Sequence, residues 1–424
     1  MTNIERPTVE EFRESARAWL DANLERQVGS RKRRTRGMVH RTVEDIAEQR
    51  AIQARVHEAG FMGITWPVEY GGRGLSEEYD LAFTSVAADY VMPDLGIAGA
   101  VTMIVCANAI LRHASDEFKR KHLPRILSGE ELWAEFFSDP EAGSDLAGVV
   151  TTATRDGDNW ILNGAKIWSS GAYYADFGLC LARTDWDAPK HAGLTWFAVD
   201  TTAPGVVVEP LKEITGDIEF CREIFTDVVI ADSERIGEVG EGWPVAQTVL
   251  RFEREASSGS LTSGSVSLDP GPLAPDLVAL AARAGRSDDE HALQLIARSH
   301  VDDFVLRALG VRMSRLMSEG HPAGPGLVSY TKLAVGMTEP KRAKAAIEIG
   351  GAAAVAWGPG DIEGLSTALG YLNSRVTSIA GGTNEIQHNA IGERVLGLPR
   401  EPSFDKGKTF REIQEAAESW SGTR

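Results

Sequence analysis

The sequence predicts a mainly helical α+β protein in three pieces, with helices at both ends and a β domain between them. Three observations carry this reading. Apolar residues recur at helical spacing from Val9 to about Leu127. Short β-branched and aromatic runs replace them between residues 132 and 238. The helical period then returns after Gly242 and holds to Leu396. The expected units are an N-terminal helical domain (1–131), a middle antiparallel β domain (132–238), a C-terminal helical domain (239–400) and a polar tail (401–424). A length of 424 residues suits about three domains at roughly 150 residues each.

In the first unit, Thr8 and Glu11 form a capping box, and Val9, Phe12, Ala16, Trp19 and Leu20 share one face. A second helix starts at Thr42 and ends before Gly60, a natural residue for the left-handed position after a helix. Trp66–Gly74 has loop chemistry, and helices follow over Leu81–Val91, Ile97–Ala114 and Glu117–Leu127. In the middle unit, residues near Val149–Ala153 alternate, Asp156-Gly157 turns the chain, and Trp160–Leu162 resumes the strand pattern. Leu194–Asp200, Gly205–Leu211 and Ile224–Ile230 read as further strands. Strand and helix do not alternate, and no G-x-G-x-x-G follows a strand, so a dinucleotide-binding parallel sheet is not expected. Ser257–Pro275 is rich in Ser, Gly and Pro and reads as a loop. Helices continue from Asp276, with a break at Gly358–Gly360.

Charge and composition narrow the function. Lys and Arg number 44 against 61 Asp and Glu, a net of −17, which argues against nucleic acid as a partner. The basic run Arg31–Arg36 reads as a solvated stretch, the alternative being a surface for phosphates or a partner. Three cysteines lie far apart and the nine histidines form no H-E-x-x-H, so no metal site is expected. No disulfide framework is expected either, and a reducing, cytoplasmic setting is the default. No secretory leader and no membrane span are expected, for want of an apolar h-region and of 18 consecutive apolar residues.

Three stretches hold residues suited to chemistry. Phe136–Gly148 (FFSDPEAGSDLAG) sets small and hydroxyl residues where the helical part meets the β part, so backbone amides can approach a ring or diphosphate, unless it is a plain interdomain turn. Asn163–Ala172 follows a hairpin, and Trp168, Ser169 and Ser170 could stack on a flat cofactor and bond its edge; the alternative is a core tryptophan. Ile379–Gln387 (IAGGTNEIQ) reads as a helix start, which by itself explains a capping Thr383 or Asn384 and also favours anions.

These three stretches, in this order and with this spacing, resemble the signatures of the acyl-CoA dehydrogenase family, at Phe137–Asp145, Asn163–Ser170 and Gly382–Gln387. WPVEYGGRG agrees, and the resemblance spans roughly residues 8–400. It implies a C-terminal four-helix bundle, FAD between that bundle and the β domain, and a tetramer. It implies that Ser138, Gly143 and Ser144 contact FAD, Ser144 also meeting the acyl-CoA. Trp168 would pack on the flavin, Ser170 would bond near its reactive nitrogen, and Thr383 and Glu385 would lie beside it. Arg286, in Ala282–His291, would hold the diphosphate. Electron-transfer flavoprotein is the implied electron acceptor.

The implied reaction removes hydrogens α and β to a thioester, and it needs a carboxylate base with a raised pKa. Many members carry that base as a Glu at the position of Gly381, where this chain has no side chain. Others carry it one residue before an Arg on the first long C-terminal helix, and Leu250–Arg254 (LRFER) matches. Ala246, Val249, Leu250 and Glu253 share a helical face, placing a carboxylate on an apolar stripe. Glu253 is therefore the expected base and Arg254 the expected CoA contact; the competing reading is an ion pair holding helices together and a surface arginine. Ile347 stands where relatives often have a Gln toward the adenine. Alternatives to a self-sufficient enzyme are one subunit of a heteromeric acyl-CoA dehydrogenase whose partner completes the FAD site, as in bacterial relatives acting on steroid side-chain CoA esters, a flavin monooxygenase on the same fold, and a non-catalytic partner subunit.

Overall fold

The computed structural model describes residues 6–27, 42–257, 271–358 and 360–419. Arg31–Arg36 and most of the Ser257–Pro275 stretch lie outside these residues. The N-terminal helices are α1 (Val9–Asn23), α2 (Val43–Glu58), α3 (Glu77–Ala87), α4 (Gly96–Ala100), α5 (Ala107–His113) and α6 (Asp116–Ser128). The expected capping box of Thr8 with Glu11 forms, and the helix start at Thr42 proves to be a second box with Asp45, each pair satisfying two amides that a helix start leaves open. Phe12, Ala16 and Leu20 bury one face of α1 against Val56, Phe61 and Phe83.

A π-helical stretch, Val101–Cys106, joins α4 to α5. The whole Gly96–His113 segment is long and apolar enough to cross a bilayer. Here it is built into the core, with Ala98, Thr102, Val105, Cys106, Ala109 and Ile110 buried. Thr102 fixes it to the first strand: its hydroxyl accepts from the Trp133 amide at 2.7 Å. π-Stretches insert one residue into a helix and recur at functional sites.

The middle unit is an eight-stranded sheet of β1 (Trp133–Phe136), β2 (Thr152–Asp156), β3 (Asn159–Ser170), β4 (Phe177–Arg183), β5 (Leu194–Asp200), β6 (Val206–Pro210), β7 (Phe220–Ala231) and β8 (Arg235–Ile236). The order is β6-β7-β3-β2-β4-β5-β8, with β1 on β4. Pairing is antiparallel except that β1 and the first residue of β2 run parallel to β4. β1, β4 and β8 are absent from the sequence reading because β1 and β8 are too short to show a period. β4 is buried almost throughout, so it lacks the polar–apolar alternation that marks a half-exposed strand. One face of the sheet packs Trp133, Leu179, Leu181 and Trp196 against α5, α6 and the next helix. The other face buries Phe136, Trp160, Phe197 and Phe225.

The C-terminal helices are α7 (Gly242–Ser257), α8 (Pro275–Arg283), α9 (Glu290–Ser318), α10 (Val328–Gly350), α11 (Ala352–Val355), α12 (Ile362–Asn373) and α13 (Asn384–Ala390). α7 begins hard against β5. A Cβ at Gly242 would lie 2.6 Å from Leu194 backbone atoms, so only glycine permits this approach. The Trp196 indole donates to the Gly242 carbonyl at 2.8 Å. This start aims α7 along the sheet and fixes where Glu253 falls.

The tail returns to the sheet through α14 (Phe410–Glu418). Phe410 is fully buried beneath the Arg183 guanidinium, 3.4 Å from the ring centre. Arg183 in turn donates to the carbonyls of Ala147 and Val149. The C-terminal segment thus braces the end of the Phe136–Gly148 stretch.

Candidate active site

A cavity of about 1080 Å³ opens where the sheet, α7 and the start of α13 meet. Its lining includes Ser138, Gly143, Ser144, Trp168, Ser170, Glu253, Arg254 and Thr383, so one space gathers residues from all three sequence stretches and from α7. Their separations in the chain run to more than a hundred residues, and only the sheet-to-helix junction brings them together.

Each stretch is positioned by a local device. The Phe136–Gly148 stretch is held by Asp139, whose carboxylate accepts from the Val150 and Thr151 amides (2.6 and 2.8 Å) and from the Thr151 hydroxyl (2.9 Å). The same carboxylate pairs with Lys166 at 2.5 Å, both side chains being essentially inaccessible. In β3 the register with β7 shifts between Ile167 and Ser169. Trp168 occupies this bulge with φ of +72°, a conformation that costs a bulky residue about 1–3 kcal/mol. The bulge turns the indole out of the sheet, where it is 60% exposed and edge-on to Phe220. Trp168 is therefore not a core tryptophan. An exposed, strained aromatic on a cavity wall is what a stacking platform requires.

Ser169 and Ser170 part company at this bulge. Ser170 lines the cavity, whereas Ser169 is buried and donates to Glu223 at 2.8 Å. Burial pushes Glu223 up to about 8, the Ser169 hydroxyl and the Lys166 charge pulling against that rise. A carboxyl protonated in the folded state above its ordinary pKa of about 4.5 stabilises the fold fully below that value. That stability is lost as pH climbs toward about 8, because the unfolded chain then binds fewer protons than the folded one. Glu223→Gln, which stays neutral, is expected to flatten the fall in melting temperature between about pH 4.5 and about pH 8. Melting curves across that range check it, and parallel curves for both proteins would contradict it.

Glu253 lies on α7 beside the buried Ala246 and Val249, as the stripe requires. Its Oε1 accepts the Gly381 amide at 3.1 Å. Gly381 has φ of +68°, a left-handed conformation that suits glycine and lets its N–H face α7. Gly381, which has no side chain of its own, thus holds the Glu253 carboxylate through its N–H. Burial raises Glu253 above the ordinary carboxylate range, while the Gly381 N–H and the charges of Arg254 and Lys332 pull it back. Lys332, on α10, is buried and donates to the Thr377 carbonyl at 2.7 Å. Its spacing in the sequence marked nothing.

Sequence reading also missed Glu135. It projects from β1 on the same face as Trp133 and lines the cavity. Burial pushes its carboxyl well above the ordinary range, and the charge of Glu253 adds to that rise. A signal was present: one acidic residue interrupts the apolar run Leu132–Phe137.

Two expected cofactor contacts are not brought to the cavity in this chain. Arg286 donates to the Ile349 carbonyl at 3.3 Å and to that of Glu348, and pairs with Asp289 at 2.9 Å. Its fork therefore caps the C-terminal end of α10, where carbonyls lack helical partners. Glu385 sits in the first turn of α13, fully exposed, its carboxyl held low by its own amide and by Thr383. Thr383 does line the cavity, and it also caps α13 by accepting the Ile386 amide. Among the described residues no group of three metal-ligating side chains gathers.

The cavity fits a flat, polar-edged cofactor. It has an exposed aromatic wall, hydroxyls at Ser138, Ser144 and Ser170, and a helix start at Thr383. Gly143 has open space where a side chain would stand. Gln387 also lines the cavity, and its buried Oε1 finds no partner among the described residues.

Fold and site together define a three-part enzyme with a cofactor-sized cleft between sheet and C-terminal helices. Comparison with known proteins gives the family. The acyl-CoA dehydrogenase N-terminal, middle and C-terminal domain families match residues 6–130, 134–228 and 240–396. Acyl-CoA dehydrogenase IpdE1 of Mycobacterium tuberculosis is 36% identical, over 93% of this chain and 98% of its own. Among solved structures, the Tcur3481-Tcur3483 steroid acyl-CoA dehydrogenase aligns with a TM-score of 0.69 at 25% identity, covering 94% of this chain and 100% of that one. The ChsE4-ChsE5 complex from Mycobacterium tuberculosis aligns at 0.67 and 28% identity, covering 94% and 100%. The chain belongs to the acyl-CoA dehydrogenase family.

Proposed function

We propose that this chain carries out FAD-dependent α,β-dehydrogenation of an acyl-CoA thioester, with Glu253 as the base. The carrying observation is a half-buried carboxylate on an apolar helix face, held by the Gly381 N–H, in the same cavity as the strained and exposed Trp168. Ser138, Gly143, Ser144, Trp168, Ser170 and Thr383 would hold the cofactor, which when bound supplies the acceptor for the β-hydrogen as hydride. Arg254 would meet the CoA moiety and Ser144 the acyl-CoA.

The base has to remove a weakly acidic α-proton. Burial raises the proton affinity of Glu253, so the proton once taken is kept. The Gly381 N–H fixes one carboxylate oxygen, which leaves the other for the substrate. The charges of Arg254 and Lys332 favour the ionised carboxylate, the form that can act as a base, against the opposing effect of burial. Electrons would pass on to an electron-transfer flavoprotein. A flavin monooxygenase has no use for such a base, and Glu253 speaks against that reading.

The test is a titration of the purified flavoprotein with a panel of acyl-CoA esters. The flavin absorption band is expected to bleach with at least one of them and not with free CoA. A flavin-loaded protein that no acyl-CoA bleaches would end this reading.

A second reading makes the chain one subunit of a heteromeric acyl-CoA dehydrogenase. It is favoured by the commitment of Arg286 to α10, away from the cavity, and by likeness to two-component assemblies. Flavin uptake only in the presence of a second, related chain would support it over a homotetramer.

A further inference from the structure

We propose that Glu135 is a specificity residue, and that the acyl groups this site prefers carry an oxygen function, a hydroxyl or ketone, close to the reacting carbons. The proposal rests on the acyl-CoA reading above and adds to it the chemistry of the acyl chain.

The geometry starts from β1. The strand is pinned to the π-helical stretch by Thr102, and alternation puts Trp133 and Glu135 on the face toward that helix. Trp133 is sealed in the core, and two residues further on Glu135 reaches the cavity wall. Val101 from the π-helical stretch and Phe137 and Leu250 also line this cavity, so a carboxyl is set among apolar surfaces. Cys106, itself sealed, lies near enough for the Glu135 charge to raise its thiol pKa. Glu253 lies near enough to raise that of Glu135. Glu135 thus stands on the strand tied to the π-helical stretch and shares one cavity with Val101 and Glu253.

Glu135 Oε1 is shut off from solvent and finds no hydrogen-bond partner among the described residues. Such an atom is costly in a folded protein unless something else satisfies it. A plain hydrocarbon chain would leave it unpaired, and binding that chain would bear the cost. An oxygen substituent on the acyl chain would pair it. A carboxyl that keeps its proton offers one O–H donor and retains acceptor capacity, so it can serve a ketone by donating and a hydroxyl by either role. Sites built to bond a polar group discriminate strongly against analogues lacking it, because the buried partner is then left alone.

The experiment uses pairs of acyl-CoAs of equal length, plain, hydroxylated and keto, on wild type, Glu135→Leu and Glu135→Gln, each checked for flavin content and melting temperature. Two readouts are taken: kcat/KM, and calorimetric affinity for Glu253→Gln background proteins that do not turn over. The ratio of oxygenated to plain substrate is expected to fall about tenfold or more in Glu135→Leu in both readouts. Glu135→Gln, which still donates and accepts, is expected to keep most of it. Loss with ketones only, or with hydroxyls only, identifies which oxygen function is read. An unchanged ratio in a folded, flavin-bearing Glu135→Leu protein overturns the proposal. If Glu135→Leu fails to fold, the proposal is judged on Glu135→Gln against wild type with the ketone, the alcohol and their plain partner. There wild type must favour at least one oxygenated partner, and equal affinities for all three refute it. Preferential binding without turnover of any acyl-CoA would leave the specificity assignment standing and remove the dehydrogenase reading instead.

Discussion

Glu253→Gln is expected to lower the rate of flavin reduction by acyl-CoA about a thousandfold, within the range general bases supply, while acyl-CoA still binds. The substitution is close to isosteric, and the amide oxygen can keep the Gly381 N–H bond that orients the native side chain. What is lost is basicity alone. The wild-type rate should rise with pH along a limb lying above the ordinary carboxylate range, because burial raises the Glu253 pKa and only the ionised form can take the α-proton. In the variant that limb should vanish. Stability should move the other way. A carboxyl whose folded pKa is raised contributes stability below its unfolded pKa and loses it as pH rises through the folded value. The neutral amide is spared that loss, so the melting temperature of Glu253→Gln should fall less than that of wild type as pH rises above the ordinary carboxylate range. Stopped-flow reduction and melting curves across pH check both. A variant that reduces flavin at the wild-type rate would remove Glu253 from the chemistry.

The sequence disclosed most of this arrangement where local signals were strong. The capping box at Thr8, the helix start at Thr42 and the Asp156-Gly157 turn depend on neighbours a few residues apart, so pattern suffices. The apolar stripe Ala246–Val249–Leu250 placed Glu253 on the correct face for the same reason. Glu135 and Lys332 escaped because their meaning comes from groups far away in the chain. One is a single residue on a four-residue strand, the other a lysine on a long helix, and neither has a spacing that marks it. Trp168 is intermediate. Its motif suggested an aromatic wall, but exposure depends on a bulge set by the pairing of β3 with β7, which no local pattern encodes. Arg286 shows the same dependence: a guanidinium beside a helix end is as well satisfied by carbonyls as by a diphosphate, and in this chain it meets the carbonyls of Glu348 and Ile349, which no local pattern encodes.

Asp139→Ala should cost the fold about 3–5 kcal/mol and loosen the cofactor before the chain unfolds. Asp139 and Lys166 are a buried pair, and removing the acid leaves the ammonium, among the described residues, hydrogen-bonded to the Phe137 carbonyl alone, 3.0 Å away. The same change strips two backbone amides and the Thr151 hydroxyl of their acceptor. These bonds tie Ser138 and the loop bearing Gly143 and Ser144 to β2 and β3, so the loop is freed even where the sheet survives. Flavin retention on dilution should therefore fall at denaturant concentrations that leave wild type and most of the variant folded. The charge and the loop bonds can be separated by a second substitution. Adding Lys166→Met to Asp139→Ala removes the stranded charge, and should restore part of the unfolding free energy but not the flavin retention, because the loop amides stay unpaired. Equal loss in single and double variants would mean that the pair's charge balance matters little. The loop's backbone bonds would then carry the whole effect.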